Sequence, residues 1–387
     1  MDRSSSNLAE LRAAIASDQL ATVGGAGGAE LVLIALKEVL PQAPIFTTVY
    51  NPEKMPTCFQ DWEVHTSFIQ NLPWGKTRYQ LYLPLMPTAV EQFDLTAYDL
   101  VVSSYHSVIK GVVTRPDALH ICYCHSPIRY AWDLYHRYLS VERLSAWQKP
   151  LIPWLMNYLR LWDRVSADRV DLFVCNSVHV QRRIWKFYRR ESTVIYPPVD
   201  VGRFSPGRDC DDFYLMVGRL VAYKRHDLAV EAFNRSGRPL VIIGDGPERR
   251  HLEPLARPNI RFLGRQSDAV VADYLRRCRA FIFPGEEDFG IAPVEAMASG
   301  RPVIAYARGG ALETVAEGLS GTFFMDPSAD SLNQAVARAE NIAWNAEKIA
   351  LHAQRFSRER FLDEFSSFVT RSLAAHRREA AAATATS

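Results

Sequence analysis

The sequence predicts an α/β chain built from two doubly wound domains, each a parallel sheet layered with helices. Three observations predict it. The 387 residues exceed the usual reach of one hydrophobic core and suit two. Strand-length apolar runs alternate with helical stretches, as in a parallel sheet buried on both faces. The alternation breaks once, at YPPVDVGRFSPG (196–207), where paired prolines and a Pro-Gly step suit a linker.

Each element follows from local pattern. RAAIASD (12–18) reads as a first strand, the glycine cluster VGGAGGAE as a turn, and LVLIALKEVL as a helix. IFTTVY (45–50), DLVVSSY (99–105), HICYCHS (120–126) and DLFVCNS (171–177) continue the strands, and SAWQKPLIPWLMNYLRLWDRVSAD is a helix between the last two. Past the linker, DFYLMVGRL, PLVIIGDG, IRFLG, CRAFIFPG, RPVIAY and GTFFM form a second strand series, with DLAVEAFNRS and PVEAMASG as helices. Beyond residue 330 the pattern is helical, and the low-complexity end AAHRREAAAATATS is expected to fray.

Composition narrows the function classes. A net charge of +2 gives no global attraction to nucleic acid. Six scattered cysteines fit reduced thiols in a cytoplasmic protein better than a disulfide framework. Cys122, Cys124 and His125 form a C-x-C-H cluster without a second ligand pair at zinc spacing, so no metal is expected. The N-terminal stretch lacks the apolar core of a signal peptide, and no apolar run is long enough to span a bilayer.

The chemistry concentrates in EDFGIAPVE (287–295). Glu287 falls in the loop after a strand and Glu295 in the first turns of the next helix. The amides of Gly290 and Ile291 lie near that helix start, where they can donate to an anion or a hydroxyl-rich ligand. Two glutamates alone would read as a solvated turn and a helix cap. The flanking Phe289-Gly290, the continuation PVEAMASGRPVIA and Gly309-Gly310 point to a ligand site instead.

Arg219 follows a strand and Lys224 leads into a helix, two cations at a strand's carboxyl end that suit a diphosphate leaving group. Arg225 and His226 beside them read as solvent-facing or turn-capping. The Gly24–Gly28 cluster, with Gly27 and Gly28 at the helix start, and Gly244 after PLVII are tight strand-to-helix turns, commonly packing rather than binding. His125 ends a strand where open α/β sheets bind ligands. Ser177 reads as the N-cap of SVHVQRRIWKFY. Asp209-Cys210-Asp211 has a metal-type D-x-D spacing but sits where acidic residues are usually solvated. Two segments mix aromatics with cations, NLPWGKTRYQLYLPLMP (71–87) and QRRIWKFYRR (181–190); each suits either an anionic membrane surface or an ordinary packed, solvated face.

Together GGAE (27–30), HSP (125–127), IYPPVD (195–200), VGRL with YKR (217–225), GDGPE (244–248), FLG (262–264) and EDFGIAPVEAMASGRPVIA (287–305) resemble the GT-B-fold glycosyltransferases of family 4, in that family's order. HICYCHSPIRYAWDLYHRYL and GGALETV look like its WbaZ-type mannosyltransferase branch, which extends lipid-linked oligosaccharides in bacterial polysaccharide assembly. The resemblance implies two Rossmann-like domains facing across a cleft: an acceptor-binding domain at 1–199 and a nucleotide-sugar domain at 200–352. A C-terminal helix (353–375) would return to the first domain, and 376–387 would be a flexible tail.

It also implies roles. Arg219 and Lys224 would hold the donor diphosphate, and Glu295 the ribose. Glu287 with the amides of Phe289 to Ile291 would bind sugar hydroxyls. His125 would reach the donor sugar, Gly27-Gly28 would approach phosphate and acceptor, and the base would lie near Gly264-Arg265. Transfer would retain anomeric configuration and need no metal, with GDP-mannose as donor and a polyprenyl-diphosphate-linked glycan as acceptor. The place of work would be the cytoplasmic face of the inner membrane. A UDP-hexose donor, a UDP-sugar epimerase of the same fold and a non-catalytic sugar-nucleotide sensor are the alternatives.

Overall fold

The computed structural model describes residues 11–21, 27–133, 135, 150–207 and 210–385. The chain divides into two compact units, one formed by residues up to Pro197 together with Phe361–Ser387, the other by Pro198–Arg360.

The first unit runs β1 (Ala13–Ser17), α1 (Gly28–Val39), β2 (Ile45–Thr47), β3 (Val64–Thr66), α2 (Met86–Glu91), β4 (Leu100–Tyr105), β5 (Leu119–Cys124), α3 (Leu151–Ser166), β6 (Leu172–Cys175), α4 (Val178–Tyr188) and β7 (Ser192–Val194). Its seven strands are parallel in the order β3-β2-β1-β4-β5-β6-β7. Strand alternation feeds two cores. Ala14, Ala16 and Val101 face one cluster with α2, α3 and α4, while Ala13, Ile15 and Val102 face another with α1.

The second unit runs β8 (Tyr214–Val217), α5 (His226–Ser236), β9 (Leu240–Ile243), α6 (Arg249–Leu252), β10 (Ile260–Gly264), α7 (Asp268–Arg277), β11 (Phe281–Phe283), α8 (Ile291–Ala298), β12 (Val303–Tyr306), α9 (Ala311–Thr314), β13 (Gly321–Phe324), α10 (Ala329–Glu340) and α11 (Ala346–Ala353). Its six parallel strands follow the order β10-β9-β8-β11-β12-β13. Helix α12 (Arg358–Ala385) then returns to the first unit, where Phe361, Phe365, Val369 and Leu373 are buried beside α1. Their 4-4-4 spacing keeps one face of the helix on that core.

In each unit the strand order reverses direction once, between β1 and β4 and between β8 and β11. The crevice outside the carboxyl ends at such a reversal is where open α/β sheets bind ligands.

The expected strands are present, β2 shorter than its apolar run. Two edge strands had no sequence signal: β3 (VHT) and β7 (STV) are three residues each, too short for alternation to show. The low-complexity end AAHRREAAAATATS continues α12 to Ala385, alanine being the best helix former. Among the described residues, no helix is long and apolar enough to cross a membrane. The cysteines are free, with Cys122, Cys124, Cys175 and Cys278 buried and Cys58 and Cys210 exposed.

Candidate active site

The second unit gathers its candidate groups on loops leaving β8 and β11, the two strands that flank its reversal. Lys224 lies in a short 3-10 turn (Ala222–Lys224) after β8, and Glu287 in the loop after β11. Their side chains meet as an ion pair, Nζ to Oε1 at 2.7 Å, both largely enclosed. Close backbone contact brings the loops together. A side chain at Gly285 would lie 2.7 Å from the Lys224 Cα, and one at Gly309 (φ +65°) 2.4 Å from the Glu287 carbonyl. The amide of Gly310 donates to that carbonyl at 2.8 Å.

Burial alone would lower the Lys224 ammonium's pKa; the adjoining Glu287 carboxylate, aided by Tyr223, reverses this and leaves it raised. Lys224 is therefore cationic throughout the neutral range. An ammonium has three donors, and Glu287 occupies one.

Arg219, on the same β8 loop, is exposed, and among the described residues its side chain has no hydrogen bond or ion pair. Glu295, in the second turn of α8, is half-buried and its carboxylate likewise takes no hydrogen bond from a described residue. Burial, opposed by Arg203 and reinforced by Asp268 and Asp200, raises its pKa to about 7. The amides of Ile291 and Ala292 start α8 without an acceptor among the described residues. Gly290 enters that helix in the left-handed region, and Phe289 is buried with its ring 5.5 Å from that of Phe356.

Gly244 and Gly264 close the adjacent strands β9 and β10, the Gly244 amide donating to the Gly264 carbonyl at 2.8 Å. Arg265 follows, exposed and without an ion pair among the described residues. His226 departs from expectation. It is buried, its pKa is lowered to about 4 chiefly by burial and then by Lys224, and its Nδ1 has no hydrogen-bond partner among the described residues. As the first residue of α5 it turns under the loop, while Arg225, in the left-handed region, pairs with Asp227. Asp211 pairs with Arg277 at 2.8 Å, a surface ion pair; Asp209 lies outside the described residues.

In the first unit His125 directly follows β5. Its Nε2 and the Ser104 hydroxyl are 2.8 Å apart, and its carbonyl accepts from the Asn176 amide at 3.0 Å. Burial, then the neighbouring His106, lower its pKa to about 3, so the imidazole is neutral at physiological pH. Ser177 caps α4 as expected, accepting from the Val180 amide at 3.1 Å. Gly27 and Gly28 start α1 exposed; Gly24 and the rest of that turn to Ala26 lie outside the described residues.

Asp18 carries no signal in the sequence. Its carboxylate, wholly buried at the end of β1, accepts from the amides of His106 and Ser107 at 2.7 Å, Val108 at 2.9 Å and Ile109 at 3.0 Å. It thereby fixes the loop after β4 and places His106 with its ring 6.3 Å from that of His125. Its partners are backbone groups about ninety residues away, so no motif could have marked it.

Comparison with known proteins places the chain among the glycosyltransferases. The model described as Glycosyltransferase Family 4 matches residues 26–203, and that for Glycosyl transferases group 1 matches residues 203–356. The chain belongs to glycosyltransferase family 4.

It is 25% identical over 370 residues to O-antigen chain mannosyltransferase C of Escherichia coli, covering 88% of this chain and 91% of that protein. It is 37% identical over 136 residues to a GDP-mannose-dependent alpha-mannosyltransferase of Corynebacterium glutamicum, covering 32% and 33% of the two chains. Two further relatives are matched over 58% and 54% of their own lengths. Among solved structures, Anabaena HepE in complex with UDP and glucose superposes with a TM-score of 0.68 at 19% identity, over 93% of this chain and 100% of that one. That likeness shows the GT-B fold.

Proposed function

We propose that this protein is a retaining α-mannosyltransferase. It moves mannose from GDP-mannose to a polyprenyl-diphosphate-linked oligosaccharide in bacterial polysaccharide assembly, at the cytoplasmic face of the inner membrane and without a metal. The observation that carries this reading is a division of labour at the second unit's switch point. Lys224 is steadied by Glu287, while Arg219 on the β8 loop and Glu295 in α8 have no side-chain partner among the described residues.

A nucleoside diphosphate sugar supplies what these groups lack. Its diphosphate takes the Arg219 guanidinium and the spare donors of Lys224, and its ribose hydroxyls donate to Glu295. Glu287 and the α8 amides hold the sugar hydroxyls, and Gly244, Gly264 and Arg265 line the approach of the base. As the bond from the anomeric carbon to phosphate breaks, negative charge grows on the leaving oxygen where the two cations are fixed. The acceptor oxygen bonds to the same face of that carbon, and its proton passes to the leaving phosphate. His125, neutral, serves as a hydrogen-bonding group toward the donor sugar rather than as an acid. Glu287 is tied to Lys224 and is no covalent nucleophile, so the two-carboxylate scheme of glycosidases does not apply.

Mannose and the guanine base are supported by the names of the Escherichia coli and Corynebacterium relatives. The UDP complex of HepE keeps a UDP-hexose as the second reading. Calorimetric titration separates them. GDP-mannose is expected to bind at least about tenfold more tightly than UDP-glucose, a difference of about 1.4 kcal/mol; the reverse order removes mannose from the account.

A further inference from the structure

The helical layer over one face of the first unit's sheet carries an exposed apolar surface. Helix α3, 16 residues and roughly 24 Å long, buries Met156 and Leu159 against that sheet. Its outward side displays Leu151, Trp154, Tyr158, Leu161 and Val165, with Trp154 82% and Leu161 62% exposed. The spacing alternates three and four residues, so these side chains form one stripe along the helix. A helix that is apolar inside and out has a second apolar neighbour.

The stripe is not isolated. The 71–87 segment and α4 pack into the same core as α3, through Leu72 and Tyr82 and through Val180 and Ile184. Tyr188 donates to Asp163 at 2.8 Å, joining α4 to α3, and Trp162 donates to Glu91 at 2.9 Å, joining α3 to α2. This layer also exposes Trp74, Leu81 and Trp185. On the opposite side of the sheet, neither α1 nor α12 exposes a large apolar side chain among the described residues.

Charge selects the neighbour. Segments 71–87 and 181–190 contain no acidic residue. Lys76, Arg78, Arg182, Lys186 and Arg189 are exposed and have no ion pair among the described residues. A second copy of the chain meeting this face would bring the same two acid-free, basic segments to the interface. An anionic surface would be matched.

We infer that this layer of the first unit rests on an anionic lipid bilayer, with the α3 stripe seated at the boundary between headgroups and acyl chains. The inference deepens the peripheral membrane position proposed above and needs no particular donor. Tryptophan and tyrosine suit that boundary because each has an apolar body and a polar edge. The cations of 71–87 and α4 lie against the headgroups.

The test is cosedimentation of the full chain with phosphatidylcholine vesicles, with and without phosphatidylglycerol. Binding is expected to the anionic vesicles only, with release by salt. Trp154→Glu with Leu161→Glu should lower the partition coefficient at least about tenfold. Arg182→Glu with Lys186→Glu should do the same, each basic residue near such a surface contributing about fivefold. All four side chains project outward, so an unchanged thermal melt confirms that the variants fold. GDP-mannose titration of the same variants reads the donor assignment separately, since these residues lie outside it. Absence of binding at low salt, equal binding to neutral vesicles, or wild-type binding by either variant overturns the inference. So does a concentration-dependent dimer that Trp154→Glu converts to monomer without any vesicle binding, which would assign the stripe to a second copy.

Discussion

Glu295 is a half-buried carboxyl group that takes no hydrogen bond from a described residue. Burial, only partly offset by Arg203, raises its pKa from 4.5 to about 7. The sign of the consequence is definite. The folded state holds this proton more tightly than the unfolded chain, so the group's contribution to stability falls as pH rises from about 4.5 to about 7. In the proposed role Glu295 accepts from both ribose hydroxyls, which its ionised form does better than the neutral acid, so affinity for GDP-mannose should rise by up to about tenfold between about pH 6 and 8 and then level. Glu295→Gln should bind more weakly at high pH and lose that pH dependence, as calorimetry across the range would read. His125, with its pKa near 3, stays neutral there and cannot imitate the effect.

At the scale of elements, the sequence was most legible where periodicity and short turns coincide. The second unit's strands and the EDFGIAPVE loop were placed because a buried parallel strand is a continuous apolar run and the next helix starts at a glycine. The first unit hid more. Asp18 works through backbone amides, and β3 and β7 carry too few residues for a pattern. Lys110 and Asp163 meet across 53 positions as a wholly buried ion pair at 2.7 Å. Lys110 also donates to Ser166, and Asp163 accepts from Tyr105, Tyr188 and Trp132, so every member of the network has a partner. This cluster fixes α3 and α4 over β4, and with them the exposed stripe. Asp163→Ala removes the counter-charge of a buried ammonium and an acceptor for two phenols and an indole, and should cost about 3–5 kcal/mol by chemical denaturation. An effect below about 1 kcal/mol would show that water replaces the carboxylate.

At the scale of the molecule, the candidate groups of each unit stand near the reversal in its strand order. The first offers His125 and the Asp18-braced loop beside β1 and β4, and the second offers the Lys224–Glu287 pair beside β8 and β11. Helix α12, rooted in the first unit by Phe361 and Phe365, ties the chain's end to its beginning. Sequence pattern reveals the two-sheet architecture because each sheet is local in the chain. The proposed reaction is transfer of mannose with retention, assisted by cations at the leaving phosphate. Its most direct test is single-turnover transfer from GDP-mannose to a polyprenyl-diphosphate glycan, with the product's anomeric configuration read by NMR for the wild type and Lys224→Ala. The account predicts an α-linked mannose and a rate lower by about 10²–10³-fold in the variant. A β-linked product, no acceptor-dependent product, or an unchanged rate in Lys224→Ala would contradict it.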